Sequence, residues 1–134
     1  MIVSTRGRYA LRVMIDLAEN GNGEFLPMKD VAARQGISHK YLEQILPVLT
    51  KNGLVQAVHG KGGGYKILVK PEECTVGMIL RLTEGELTAV ACLEDGAPEC
   101  EKKGDCRTIG LWSDLNKAIN NLIDSYTLAD LMKK

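Results

Sequence analysis

Arg34–Val69 reads RQGISHKYLEQILPVLTKNGLVQAVHGKGGGYKILV. Gly36 stops any helix before it, because glycine takes the left-handed conformation of a helix end at no steric cost. Ile37 is then placed to pack, and Ser38 caps a helix that runs to about Asn52. Leu42, Ile45, Leu46 and Leu49 recur at the three- and four-residue spacing that lines one helical face. Lys40, Glu43 and Gln44 lie off that stripe, and Gly53 closes the helix. Pro47 sits inside it, where proline removes one backbone hydrogen bond and crowds the preceding turn. A kink or break near Glu43–Leu46 is therefore expected, rather than two separate elements. Leu54–Val58 and Tyr65–Val69 read as the strands of a hairpin, and Pro71 ends the second. The tip between them carries His59 and Lys61 among glycines.

The preceding residues give two more helices. From Ser4 to about Asn20, Tyr9, Ala10, Val13, Met14, Leu17 and Ala18 share one face. Ser4 or Thr5 caps the start, and Asn20-Gly21-Asn22-Gly23 ends it. Pro27–Gln35 forms a short second helix with Val31 and Ala32 inward. Helix, short helix, tight turn, helix and glycine-tipped hairpin is the order of a winged helix-turn-helix. The fold expected is mainly α with a small β-hairpin wing.

In that arrangement the third helix enters the major groove of double-stranded DNA. Its N-terminal residues Ser38, Lys40, Tyr41, Glu43 and Gln44 are the candidate readers. Gln44 has the amide to meet adenine in a bidentate way; Lys40 and Tyr41 suit phosphate. His59, Lys61, Gly62 and Gly63 of the wing are placed for the backbone or a minor groove, with glycines admitting close approach. His39 and His59, the only histidines, read as phosphate contacts or exposed side chains rather than metal ligands.

Thr75 opens a short helix, Val76–Thr83, which Gly85 stops. Thr108 to about Asp124 is a long amphipathic helix. Its Trp112, Leu115, Ile119 and Leu122 keep the heptad rhythm of a helix seeking a partner helix. Thr127–Leu131 makes a last short turn. The division expected is a DNA-binding unit at 1–72 and a second part at 73–134. The latter holds the short helix, a cysteine loop at about 90–107 and a dimerisation helix.

The formal net charge is zero, but the halves differ. Residues 1–70 hold ten Lys/Arg against five Asp/Glu, and residues 71–134 hold seven against twelve. A basic half is the electrostatic footprint of a polyanion partner. No apolar run approaches the ~20 residues of a membrane span. Charges fall within the first eight positions and no long apolar stretch follows, unlike a signal peptide. A cytoplasmic protein is expected, in which cysteines stay reduced.

Cys92, Cys100 and Cys106 crowd one segment with the spacing C-x7-C-x5-C. Glycines, a proline and acidic residues fill the gaps, so the segment reads as a loop able to turn three sulfurs toward one point. Thiolates in such a set suit an iron–sulfur cluster or zinc, or act as a thiol sensor. Cys74 reads as a small buried hydrophobe or as a fourth ligand. The layout does not suggest an enzyme. There is no C-x-x-C, and the glycine run lies in a hairpin instead of opening a helix as a P-loop does.

The chain resembles the bacterial winged-helix regulators of the Rrf-two family, which includes IscR, NsrR and CymR. The resemblance rests on STRGRYA at Ser4–Ala10, RQGIS at Arg34–Ser38 and YLEQ at Tyr41–Gln44. It rests also on KNGLV at Lys51–Val55, GKGGGY at Gly60–Tyr65 and TLADL at Thr127–Leu131. It implies a DNA-binding transcription regulator, with repression the expected sign. It implies a homodimer whose long C-terminal helices cross, bound to a pseudo-palindromic operator. Iron–sulfur members hold a 2Fe-2S cluster on three loop cysteines, by position Cys92, Cys100 and Cys106. IscR proteins add a histidine where this chain has Ile109, and NsrR proteins an aspartate where it has Arg8. The fourth ligand is thus open among Asp105, Glu101, a partner side chain and an exogenous thiol. Zinc, or no metal and a CymR-like thiol or cysteine-metabolism sensor, is the alternative.

Overall fold

The computed structural model describes residues 3–94, 96–98 and 104–133. Helix α1 is Thr5–Asn20, capped by Ser4, whose hydroxyl accepts the Gly7 N–H at 3.1 Å. Helix α2 is Met28–Gln35, and it ends at Gly36 with φ +64°, in the left-handed region. Helix α3 is His39–Lys51, capped by the Ser38 hydroxyl on the Tyr41 N–H.

Helix α3 runs through Pro47 as one element, as expected, and is not divided into two. The carbonyl that loses its partner belongs to Glu43, and both Glu43 and Pro47 face solvent, where water serves instead. On the opposite face Leu42, Ile45, Leu46 and Leu49 are at most 2% exposed. Each such burial contributes ~1.5–3 kcal/mol. Together they outweigh the ~3 kcal/mol that an interior proline costs.

Strands β1, Val55–Val58, and β2, Gly64–Ile67, pair antiparallel with Val55 opposite Ile67. They are slightly shorter than the apolar runs suggest. Leu26 adds a bridge to Tyr65, with two backbone hydrogen bonds of 2.8 Å, and so ties the wing to the segment before α2. A 3-10 turn at Pro71–Glu73 leads to α4, Val76–Glu84, capped by Thr75 and ended at Gly85. A second 3-10 turn, Ala91–Leu93, has no counterpart in the sequence reading. Helix α5 is Ile109–Ser125, and α6 is Leu128–Leu131 with a capping box between Thr127 and Asp130.

One apolar cluster joins Val13, Met14 and Leu17 of α1 to the α3 stripe, Ile79 of α4 and Leu128 of α6. Helices α1 and α4 approach closely at Gly7, where any Cβ would run into the Glu84 carboxylate. That carboxylate accepts the Ser4 N–H at 3.1 Å and the Ser4 hydroxyl. The chain end returns to the core: the Leu128 N–H donates to the Cys74 carbonyl at 2.7 Å. Helix α5 alone among the long helices contributes no buried side chain. It is fastened to α4 by Arg81, whose guanidinium grips Asp124 at 2.7 and 2.9 Å. No helix among the described residues is long and apolar enough to cross a membrane.

Candidate nucleic-acid interface and cysteine loop

The N-terminal half of α3 buries Leu42 and Ile45 and turns its opposite face outward. His39, Lys40, Glu43, Gln44 and Pro47 are all exposed. Glu43 and Gln44 therefore lie open on the face a groove would meet, with Lys40 one turn before them. Ser38 is exposed, but its oxygen is engaged as the helix cap. Tyr41 is half-buried. Its ring meets the Tyr9 ring edge-on, with centroids 5.2 Å apart, so it braces α3 against α1.

In the wing His59, Lys61 and Gly62 are exposed. Gly63 shapes the tip. Its N–H donates to the Gly60 carbonyl at 3.0 Å, and a Cβ there would run into the Val58 carbonyl. Lys66 lies over the Phe25 ring, 4.9 Å from its centroid, and is held back from the tip.

The cysteines divide. Cys92 is exposed within the turn Ala91–Leu93, and Cys106 is half-buried just before α5. The Cys106 sulfur lies 3.6 Å from the Thr108 hydroxyl. Hydrogen bonds from that hydroxyl and from the Thr108 N–H hold the Cys106 thiol below its ordinary pKa, which favours thiolate. Cys100 and Glu101 lie outside the described residues. Asp105 is exposed, Ile109 is half-buried, and Arg8 donates to the Thr5 hydroxyl at 3.0 Å. Cys74 is 0% exposed in the core, and burial pushes its thiol up. Its burial matches the small buried hydrophobe of the two sequence readings. Among the described residues no three His, Cys, Asp or Glu side chains converge on a metal position. The donor chemistry still fits a thiolate-bound centre, with an open thiol at Cys92 and a thiolate-favouring one at Cys106.

Helix α5 carries an uncovered apolar face. Leu111, Leu115 and Leu122 are 60%, 41% and 58% exposed. Trp112 and Ile119 are half-buried along its margin, and the Trp112 indole N–H donates to the Thr108 hydroxyl at 3.1 Å. Leu122 also lines an apolar recess of about 340 Å³ with Leu11, Val76, Ile123, Tyr126 and Leu131.

A family model described as an iron-dependent transcriptional regulator, Rrf2, matches residues 3–134. The chain belongs to the Rrf2 family. It is 39% identical over 132 residues to the HTH-type transcriptional regulator IscR of Aliivibrio salmonicida, covering 98% of this chain and 77% of the relative. Among solved structures it is similar to CymR, the global cysteine regulator of B. subtilis. That match has a TM-score of 0.79 and 36% identity, over 98% of this chain and 95% of that one. It is similar also to T. potens IscR, with a TM-score of 0.75 and 36% identity, over 98% and 85%. The protein is thus a winged-helix transcriptional regulator of the Rrf2 family.

Sequence reasoning misses the scaffold behind the exposed α3 face of this Rrf2 protein. Asp16 is buried on α1 and receives Arg34 at 2.9 and 2.7 Å and the Gln35 amide at 2.8 Å. Arg12 stacks over Tyr9, 5.2 Å from the ring centroid, and donates to the Gln35 side-chain and backbone oxygens. These contacts set the turn from α2 into α3. The available signal was a charge at Asp16, placed among the apolar positions of the α1 face.

Proposed function

We propose that this regulator is a homodimer that binds a pseudo-palindromic site in double-stranded DNA and is switched by a 2Fe-2S cluster on Cys92, Cys100 and Cys106. Residues 1–72 read DNA, and residues 73–134 carry the cysteine loop and the dimer helix. Gln44 and Glu43 meet base edges, and Ser38 orients the start of α3. Lys40, Tyr41, His59 and Lys61 meet the backbone while Gly62 and Gly63 let the wing approach. Leu115 and Leu122, flanked by Trp112 and Ile119, form the contact between α5 helices. Repression is the expected sign.

The observation that carries the switching is the pair of loop-end thiols, Cys92 exposed and Cys106 beside the Thr108 hydroxyl just before α5. When bound, a cluster supplies a soft, redox-sensitive charge. The chain's part is to fix both ends of the loop, so that cysteine ligation biases one angle between the two DNA-reading heads.

Anaerobic purification with a visible spectrum and iron and sulfide assays tests this. About two irons and two sulfides per chain are expected, with a changed affinity for a duplex selected from a random library. Replacement of Cys92, Cys100 and Cys106 by Ala should abolish that change. If no duplex is selected, the DNA reading falls. A second reading, a cluster-free CymR-like thiol sensor or zinc protein, is favoured by Ile109 and Arg8, neither of which completes the ligand set. A colourless protein that resists reconstitution yet responds to oxidant would select it.

A further inference from the structure

Residues 85–90 join α4 to the cysteine loop, and two asparagines one turn apart on α5 hold them. Asn116 Oδ1 accepts the Ala89 N–H at 2.8 Å. Asn120 Nδ2 donates to the Leu87 carbonyl at 3.1 Å. These are backbone groups that a neighbouring strand would engage, so the side-chain amides stand in for a strand partner. Leu87 is buried beneath them against Val76 and Leu80. Asn120 is itself fixed: its Oδ1 accepts from Arg81 at 2.8 Å and its Nδ2 reaches the Asn116 carbonyl at 2.8 Å. Arg81 is in turn locked on Asp124.

Cys92 follows three residues after the Ala89 clamp, and Cys106 stands three residues before the start of α5. Both ends of the loop are therefore fastened to one helix. Ile109 and Asn116 are seven residues apart, about 10 Å along the axis at ~1.5 Å per residue.

We propose that Asn116 and Asn120 are positioning residues for the cysteine loop, holding its entry so that a change at Cys92 moves α4 and α5 instead of being absorbed by slack chain. The route onward is contiguous. Glu84 at the end of α4 accepts from Ser4, the cap of α1, and Tyr9 of α1 braces Tyr41 of α3. This rests on the switching reading above and adds the residues that transmit it.

Asn116 and Asn120 respond differently to the same substitution. Asn116 uses its side chain as an acceptor, which aspartate retains. Asn120 donates as well, and an aspartate carboxylate cannot donate. The test compares the wild type with Asn116→Ala, Asn116→Asp and Asn120→Asp as full chains. Affinity for the selected duplex is measured cluster-free and after anaerobic reconstitution, and hydrogen exchange is followed at the Ala89 amide. In Asn116→Ala, exchange at Ala89 should quicken about tenfold or more. Its cluster-free affinity should stay within about twofold, while the gap between the two forms closes. The gap expected for the wild type is about fivefold or more. Asn116→Asp should match the wild type throughout, and Asn120→Asp should lose the gap. A full gap in Asn116→Ala overturns the inference, as does loss of the gap in Asn116→Asp. A wild type with no gap overturns the switching reading and this inference together. A wild-type gap that survives in Asn116→Ala overturns this inference alone.

Discussion

At Asp16 a carboxylate is buried where the α1 stripe otherwise carries Val13, Met14 and Leu17. A charge survives there because two donors of Arg34 and one of Gln35 replace its water. The pair is lopsided: the Asp16 side chain is 0% exposed and that of Arg34 is 36% exposed. Arg34→Met strands the buried carboxylate and should cost about 3–5 kcal/mol. Asp16→Asn lets Arg34 turn to water and should cost less, about 1–3 kcal/mol. Urea unfolding of both variants checks the order, and equal losses would contradict it. The sequence reading did not single out Asp16. Its partner lies eighteen positions away, a distance that periodicity cannot cross. Glycine was more legible, because the positive φ at Gly36 is a local requirement.

Among the elements, α5 shows best what periodicity can and cannot deliver. The rhythm Trp112, Leu115, Ile119, Leu122 was visible, and the structure leaves Leu115 and Leu122 at its open centre. The opposite face was not visible. Asn116, Asn120 and Asp124 look like an ordinary solvated side, yet they fasten the helix to α4 and to residues 87–89. Pro47 does not divide α3, since propensity weighs one residue and burial weighs the whole stripe. Leu122→Glu should leave the protomer folded, because Leu122 is already exposed within it. It should convert the protein to monomers in analytical ultracentrifugation; a persisting dimer would exclude this face. The Arg81 hydrogen bonds hold the Asp124 carboxyl below the usual carboxylate range. A depressed folded pKa gives stability that is fully present above the unfolded value of ~3.9 and is lost as pH falls through the folded pKa. Asp124→Asn should therefore be less stable than the wild type near neutrality. The two should converge on acidification below pH ~3.9, measured by thermal unfolding across pH; a constant difference would rule the pair out as the source.

Across the whole molecule, the basic half carries α3 and the hairpin proposed to meet DNA, and the acidic half carries Cys92, Cys106 and α5. That placement directs a polyanion to one end. Lys40→Ala or Lys61→Ala should lower the slope of log affinity against log salt by about 1 for each phosphate no longer neutralised, hence about 2 per dimer. Gln44→Ala should keep the slope and relax base preference. Salt titrations of a selected duplex separate these, and an unchanged slope in both lysine variants would remove them from the interface. Overall order was legible because each element of the winged helix has its own stop signal. The cross-element fastenings were not, because polar pairs leave no period in a sequence.

The burial of Cys74 has a use beyond packing. A thiol reagent in native solution meets Cys92 at once, whereas Cys74 is sealed in the core with its thiol pushed up. Labelling of Cys74 waits until the core opens, so its slow phase is a stopwatch for global opening, built into the chain. Followed by mass spectrometry, that phase should lengthen when duplex DNA is bound and shorten in Arg34→Met. It would time the life of the folded state in the same sample that reports the chemistry of the loop.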